Sequence, residues 1–227
     1  MWVKICANTN LEDALLAVDA GADAVGFVFA PSKRQVTSEQ VAEIVKGLPD
    51  GMEKVGVFTT TDAEEILQAA RVAGLTSVQL HSEFDPKLVD AINAGSGGRL
   101  RVVQVVDVPQ GTDVEALRSK LGAILRHPHV FAVLLDASHD GSSGGTGRAF
   151  EWERVAEMVQ QVQGETGGQV IVAGGLCAEN VGEAIAAFEP WGVDVASGVE
   201  ASPGVKDEAR LRGFIENARA TGDKLIQ

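Results

Sequence analysis

The feature that most constrains this chain is a rhythm. A short β-branched run is followed by a longer amphipathic stretch, and the pair recurs eight times. Trp2 to Cys6 reads as the first strand and Leu11 to Ala20 as its helix, with Asn10 as N-cap. Ala24 to Phe29 and Ser38 to Lys46 follow, the helix capped by Thr37 or Ser38. Lys54 to Phe58 pairs with Ala63 to Ala73, and Ser77 to Leu80 with Pro86 to Ala94. The second half repeats the scheme: Arg101 to Val106 with Val114 to Arg126, then Phe131 to Leu135 with Glu151 to Val162. Val170 to Ala173 precedes Glu179 to Phe188, and Val193 to Ala196 precedes Glu208 to Thr221.

Runs such as Val130 to Leu135 are apolar throughout, as strands are when helices cover both faces of a parallel sheet. Eight strand–helix units favour a closed (β/α)8 TIM barrel over an open doubly wound sheet. The 227 residues suit one such domain, which typically needs about 250. No linker suggests a second domain, so residues 1–227 read as a single barrel. Gly95 to Gly98 reads as a flexible turn, and Asp140 to Gly147 as a glycine-rich loop after the sixth strand.

A net charge of -13 repels polyanions, so nucleic acid is not an expected partner. The two cysteines, Cys6 and Cys177, are neither a zinc pair nor a disulfide framework. The four histidines are scattered, and no metal site is expected. No secretory leader opens the sequence and no apolar run approaches 18 residues, so a soluble, cytoplasmic protein with no membrane partner is expected.

In such a barrel the chemistry sits at the carboxyl ends of the strands. The polar residues there are Cys6, Lys33, Arg34, His81, Asp107, Asp136, Ser197 and Glu200, with Cys177 beyond the seventh strand. Each has two readings. Cys6 is either a small buried hydrophobe or a reactive thiol. Asp136 either caps a turn or is an acid. Arg34 is a surface charge or an anion clamp, and His81 a capping histidine or a ligand contact. Ala173-Gly174-Gly175-Leu176 and Ala196-Ser197-Gly198-Val199-Glu200 follow the seventh and eighth strands. Barrels commonly hold phosphate on backbone N–H groups there, and ordinary turn glycine is the alternative.

Over nearly its whole length the sequence resembles the phosphoribosylanthranilate isomerase family of tryptophan biosynthesis. Val3-Lys4-Ile5-Cys6 with Thr9-Asn10 is similar to that family's K-I-C-G-x-T signature. Gly21 to Phe29, Ser32-Lys33-Arg34, Val55 to Phe58 and Val78-Gln79-Leu80-His81 match in order. Gly144 to Gly147 with Phe150 and Trp152, Ala173 to Leu176 with Glu179-Asn180-Val181, Val193 to Val195, Ser197 to Glu200 and Pro203 to Asp207 complete the likeness.

The resemblance implies an Amadori rearrangement of a small-molecule substrate, N-(5'-phosphoribosyl)anthranilate, without cofactor or metal. It implies Asp136 as general acid and Cys6 as general base. Substrate is then bound by Arg34 at the anthranilate carboxylate, by His81, and by Gly174, Gly175, Ala196, Ser197 and Gly198 around the phosphate. These roles ask for opposed pKa shifts, with Asp136 held protonated and Cys6 drawn toward thiolate by a nearby positive group. Lys4 shares parity with Cys6 and is expected inside the barrel, with Asp194 on the neighbouring eighth strand as its anionic partner.

Two positions depart from the family pattern. Ala7 stands where glycine usually follows the cysteine, which strains the backbone if φ is positive there. Ala196 replaces a common serine. Ala137 to Ser143, with His139 and Asp140, is idiosyncratic. The competing readings are the related sugar-phosphate isomerase of histidine biosynthesis, which uses aspartate where this chain has Cys6, indoleglycerol-phosphate synthase, whose lysine and glutamate pattern is not evident, and a catalytically silent phosphate-binding barrel. A monomer is expected, with a dimer as the alternative.

Overall fold

The computed structural model describes residues 1–109, 111–136 and 152–225. The predicted loop Asp140 to Gly147, and with it His139, Ser143 and Phe150, lies outside them.

Alternating strands and helices bury the strands on both faces. The strands are β1 (Trp2–Ile5), β2 (Ala24–Val28), β3 (Glu53–Phe58), β4 (Ser77–Leu80), β5 (Arg101–Asp107), β6 (Ala132–Asp136), β7 (Gln169–Ala173) and β8 (Gly192–Val195). They pair in chain order, all parallel, and β8 returns to β1 to close the barrel. The helices are α1 (Leu11–Asp19), α2 (Ser38–Lys46), α3 (Ala63–Ala73), α4 (Pro86–Ser96), α5 (Val114–Leu125), α6 (Trp152–Thr166), α7 (Val181–Phe188) and α8 (Glu208–Leu225). Asn10 caps α1 by accepting from Asp13 N, and Thr37 caps α2 in a reciprocal box with Gln40.

Two boundaries correct the sequence reading. The turn expected at Gly95 to Gly98 begins later, because Gly95 and Ser96 belong to α4. A Cβ on Gly95 would lie 2.3 Å from Leu67 Cδ1, so the glycine is there for close packing of α4 on α3. A small antiparallel hairpin, β9 (Glu200–Ser202) and β10 (Val205–Lys206), stands between β8 and α8 where only a loop was expected.

Strand parity sorts side chains between two environments. Val3, Ile5, Val25 and Phe27 face the helical jacket. Inside the barrel, Val103, Val105, Ala132, Leu134, Ile171 and Ala173 form an apolar half on β5, β6 and β7. The opposite half, around β1, β2 and β8, is charged: Lys4 and Asp194 are both buried. Gly26 makes this possible, since a Cβ there would meet Cys6 Sγ at 2.7 Å and Lys4 Cε at 2.9 Å. Trp2 and Trp191 stack at 5.0 Å near the amino-terminal mouth, with Phe131 edge-on to Trp191 at 5.4 Å.

Candidate active site

The carboxyl-terminal rim gathers most of the residues singled out in the sequence. Cys6 follows β1 directly, and its backbone N–H donates to Val195 O at 2.8 Å. The next residue, Ala7, has φ of 63° and is buried. An L-residue pays for that conformation with a Cβ clash, so the strain expected of this alanine is present. Asn8 holds the turn in place: its Nδ2 donates to Ile5 O at 2.8 Å and to Gly26 O at 3.2 Å.

Lys4 lies one inward position below Cys6. It is paired in register with Asp194, and Lys4 Nζ donates to Asp194 Oδ2 at 2.8 Å. The partner expected on the neighbouring eighth strand is therefore the one observed. Burial alone would lower the Lys4 ammonium, but the negative charges of Asp194 and Cys6 together hold it up. Asp194 is raised by burial against the pull of Lys4, and Asp136 adds to that rise.

The expected depression of the Cys6 thiol is not found. Burial pushes the thiol above its ordinary value, although Lys4 and Lys206 both pull it down. The required positive groups are present; removal from water outweighs them.

Asp136 ends β6, in register with Asp107 and Ala173, and its side chain is half-buried. Three strand steps (β6, β7, β8, β1) separate it from Cys6, so the two residues occupy well-separated arcs of one rim. His81 follows β4, and its Nε2 lies 3.0 Å from Oδ1 of Asp107, the last residue of β5. Both side chains are exposed.

Arg34 reaches across the rim to Glu200 in the hairpin. Its Nε donates to both carboxylate oxygens at 2.9 and 3.1 Å, and Nη2 donates to Oε2 at 2.6 Å. This bidentate grip, made through Nε and Nη2, raises Arg34. Glu200 is itself buried; it also accepts from Gly204 N at 3.2 Å and faces Lys206 Nζ at 3.6 Å. Burial would raise its carboxyl, but Arg34, Lys206 and the Gly204 N–H together hold it down.

The two glycine loops are pressed together. Gly174 and Gly175 have φ of 93° and 66°. Asn180 braces that loop by accepting from Cys177 N at 2.8 Å and donating to Gly175 O at 3.0 Å. Ser197–Val199 forms a single 3-10 turn after β8. A Cβ on Gly198 would lie 1.9 Å from Leu176 O, so no larger residue fits without moving backbone.

Sequence reasoning missed Lys206 and the Arg34–Glu200 pair. Both depend on the β9–β10 hairpin folding back over the rim, and hydrophobic periodicity carries no signal for so short a hairpin.

A closed parallel eight-stranded barrel whose polar residues gather on the carboxyl-terminal rim has the architecture of the (β/α)8 enzymes. Residues 3–217 match the family model described as N-(5'-phosphoribosyl)anthranilate (PRA) isomerase. The Pelobacter propionicus protein named N-(5'-phosphoribosyl)anthranilate isomerase is 43% identical over 220 residues, covering 96% of each chain. The crystal structure of the Thermotoga maritima phosphoribosylanthranilate isomerase superposes with a TM-score of 0.82 at 38% identity, covering 97% of this chain and 99% of that one. Another solved isomerase, in complex with reduced 1-(o-carboxyphenylamino)-1-deoxyribulose 5-phosphate, gives 0.79 at 37% identity with the same coverage. This chain belongs to the N-(5'-phosphoribosyl)anthranilate isomerase family.

Proposed function

We propose that this chain isomerises N-(5'-phosphoribosyl)anthranilate to 1-(2-carboxyphenylamino)-1-deoxyribulose 5-phosphate in tryptophan biosynthesis, with Asp136 as general acid and Cys6 as general base. The observation that carries the reading is the pairing of an inward thiol, backed by the buried Lys4–Asp194 pair, with a half-buried carboxyl on the same rim, in a chain of this family.

The proton inventory closes without a cofactor. Asp136 delivers a proton to the ribose ring oxygen, the C1–O bond breaks, and the amine nitrogen's lone pair forms the iminium. Cys6 thiolate takes the proton from C2, and that electron pair moves toward the iminium to give the enolamine. Movement of the C2 hydroxyl proton to C1 then yields the ketone, and proton exchange with solvent returns Cys6 to the thiolate and Asp136 to the acid. The substrate's own iminium is the electron sink, so no added group is needed.

Arg34 offers its Nη1–Nη2 edge to the anthranilate carboxylate while Glu200 holds the other edge. Gly174, Gly175, Ala196, Ser197 and Gly198 present backbone N–H groups to the phosphate, and His81 contacts the substrate from the fourth strand. These local donors answer the acidic net charge. The reaction is assigned to the cytoplasm and to a monomer. A dimer is the competing reading, since one similar solved structure concerns monomers generated from a dimeric Thermotoga maritima isomerase.

Assay of the purified protein with N-(5'-phosphoribosyl)anthranilate tests this. Turnover is expected in the wild type, and Cys6→Ser and Asp136→Asn should each lower kcat by about 10²–10⁴-fold. Turnover near wild type in both variants ends the assignment. A silent wild type that still binds the reduced product analogue supports the binding-only barrel.

A further inference from the structure

Lys206 is a buried cation that the proposed chemistry does not use. Its side chain is fully buried at the end of β10. Its Nζ donates to Cys6 O and, at 3.5 Å, to Ala196 O, and stands 3.6 Å from Glu200 Oε1. Its backbone N–H donates to Asp13 Oδ2 at 3.1 Å, and that oxygen also accepts from Asn10 Nδ2 at 2.9 Å. One ammonium therefore touches the strand end that carries the thiol, the loop after β8, and the carboxylate that grips Arg34. Burial lowers its pKa, against the pull of Glu200, Cys6 and Asp13. A lysine buried this way is a poor means of filling space, because an apolar side chain would avoid the desolvation cost.

We propose that Lys206 is a positioning residue of the isomerase site: its single ammonium fixes the Cys6 strand end, the Ala196 loop and the Glu200–Arg34 arm against one another. The proposal rests on the isomerase reading above for the roles of those three parts. Its charge also faces the Cys6 thiol, together with Lys4, Asp194 and Arg34. Removing it should therefore change the chemistry of Cys6, which a purely structural strut would not do.

The test uses the Cys177→Ser chain, in which Cys6 is the only thiol. Ultraviolet absorbance of the thiolate is followed against pH, and inorganic phosphate binding is followed by calorimetry. In Lys206→Met the thiolate should appear about 1 pH unit higher, and phosphate should bind about 10-fold more weakly. The kcat/KM for N-(5'-phosphoribosyl)anthranilate should fall about 100-fold. Lys206→Arg, which keeps the charge, should restore the thiol titration. Lys206→Gln keeps a donor without charge and serves if Lys206→Met does not fold; it should show the same upward titration. The losses from Lys206→Met and Glu200→Gln in kcat/KM should not multiply when combined, because both act through one network.

An unchanged thiol titration and unchanged phosphate affinity in Lys206→Met or Lys206→Gln, with only stability reduced, would overturn the proposal. Absence of turnover in the wild type, with both shifts present, would remove the isomerase reading and leave the coupling by Lys206 standing.

Discussion

Lys4 and Asp194 are register partners across the seam where β1 meets β8, and their side chains meet inside the barrel at 2.8 Å. The pair is buried, so each charge relies on the other. Lys4→Met should destabilise the fold by about 3–5 kcal/mol by stranding the carboxylate. Combining it with Asp194→Leu should recover much of that loss. Urea unfolding midpoints of the wild type, single and double variants decide the matter; equal losses in single and double variants would contradict it.

The contact between the loops after β7 and β8 leaves no room for a side chain at Gly198. Gly198→Ala must displace the Leu176 carbonyl, at a cost of about 1–3 kcal/mol. It should also weaken inorganic phosphate binding, because both loops shift. Calorimetry on the folded variant checks this, and wild-type affinity would show that the loops do not act as a unit.

Ala7 should be a site of easy stabilisation. At φ of 63° glycine has no Cβ to clash, although it gains entropy in the unfolded chain. Ala7→Gly is expected to raise stability by about 0.5–1 kcal/mol. Thermal unfolding reads the outcome, and a lowered midpoint would mean the turn accommodates alanine without strain.

The Cys6 thiol is raised above an ordinary thiol by burial, so its neutral form is favoured in the folded state. Alkylation of Cys6 in a Cys177→Ser chain should be slow near neutrality and accelerate only above the ordinary value of 9.0. The linked stability has the same sign. It is present below the unfolded-state pKa and lost as pH rises through the folded value. Cys6→Ser should flatten that alkaline loss, and an identical alkaline profile would argue against the shift.

Glu200 behaves in the opposite sense, with its carboxyl held below 4.5 by Arg34, Lys206 and Gly204 against the cost of burial. Its contribution is present above the unfolded value and lost as pH falls through the folded one. The stability gap between wild type and Glu200→Gln should therefore be widest at neutral pH and narrow in acid. Denaturant titrations at several pH values measure it; a gap independent of pH would refute the electrostatic origin.

The barrel was legible in the sequence because eight alternating units leave few parallel topologies; strand parity led from Cys6 to Lys4, and the adjacency of β8 to β1 in a closed barrel led on to Asp194. What escaped was long-range and short-lived in sequence. The Arg34–Glu200 grip joins residues 166 positions apart through a hairpin of two short strands. The rise of the Cys6 thiol was missed for a different reason. Charged neighbours can be guessed from strand order, but the degree of desolvation exists only once the helices have covered the strands.

Two of the charges beside the thiol come from the far end of the chain: Lys206 follows Cys6 by 200 positions and Asp194 follows Lys4 by 190. A growing polypeptide presents Cys6 first, as an ordinary solvated thiol. Its burial waits until the segment around β8 and the hairpin has been translated and docked. Arg219 then fastens α8 over the beginning of the barrel, donating to Met1 O, to Gly21 O at 2.8 Å and to Asp23 Oδ2 at 2.8 Å. A ribosome-bound chain halted before β8 thus has the strand bearing Cys6 and Lys4 but lacks Asp194 and Lys206. Its cysteine should be far more open to oxidation than the same residue in the finished barrel.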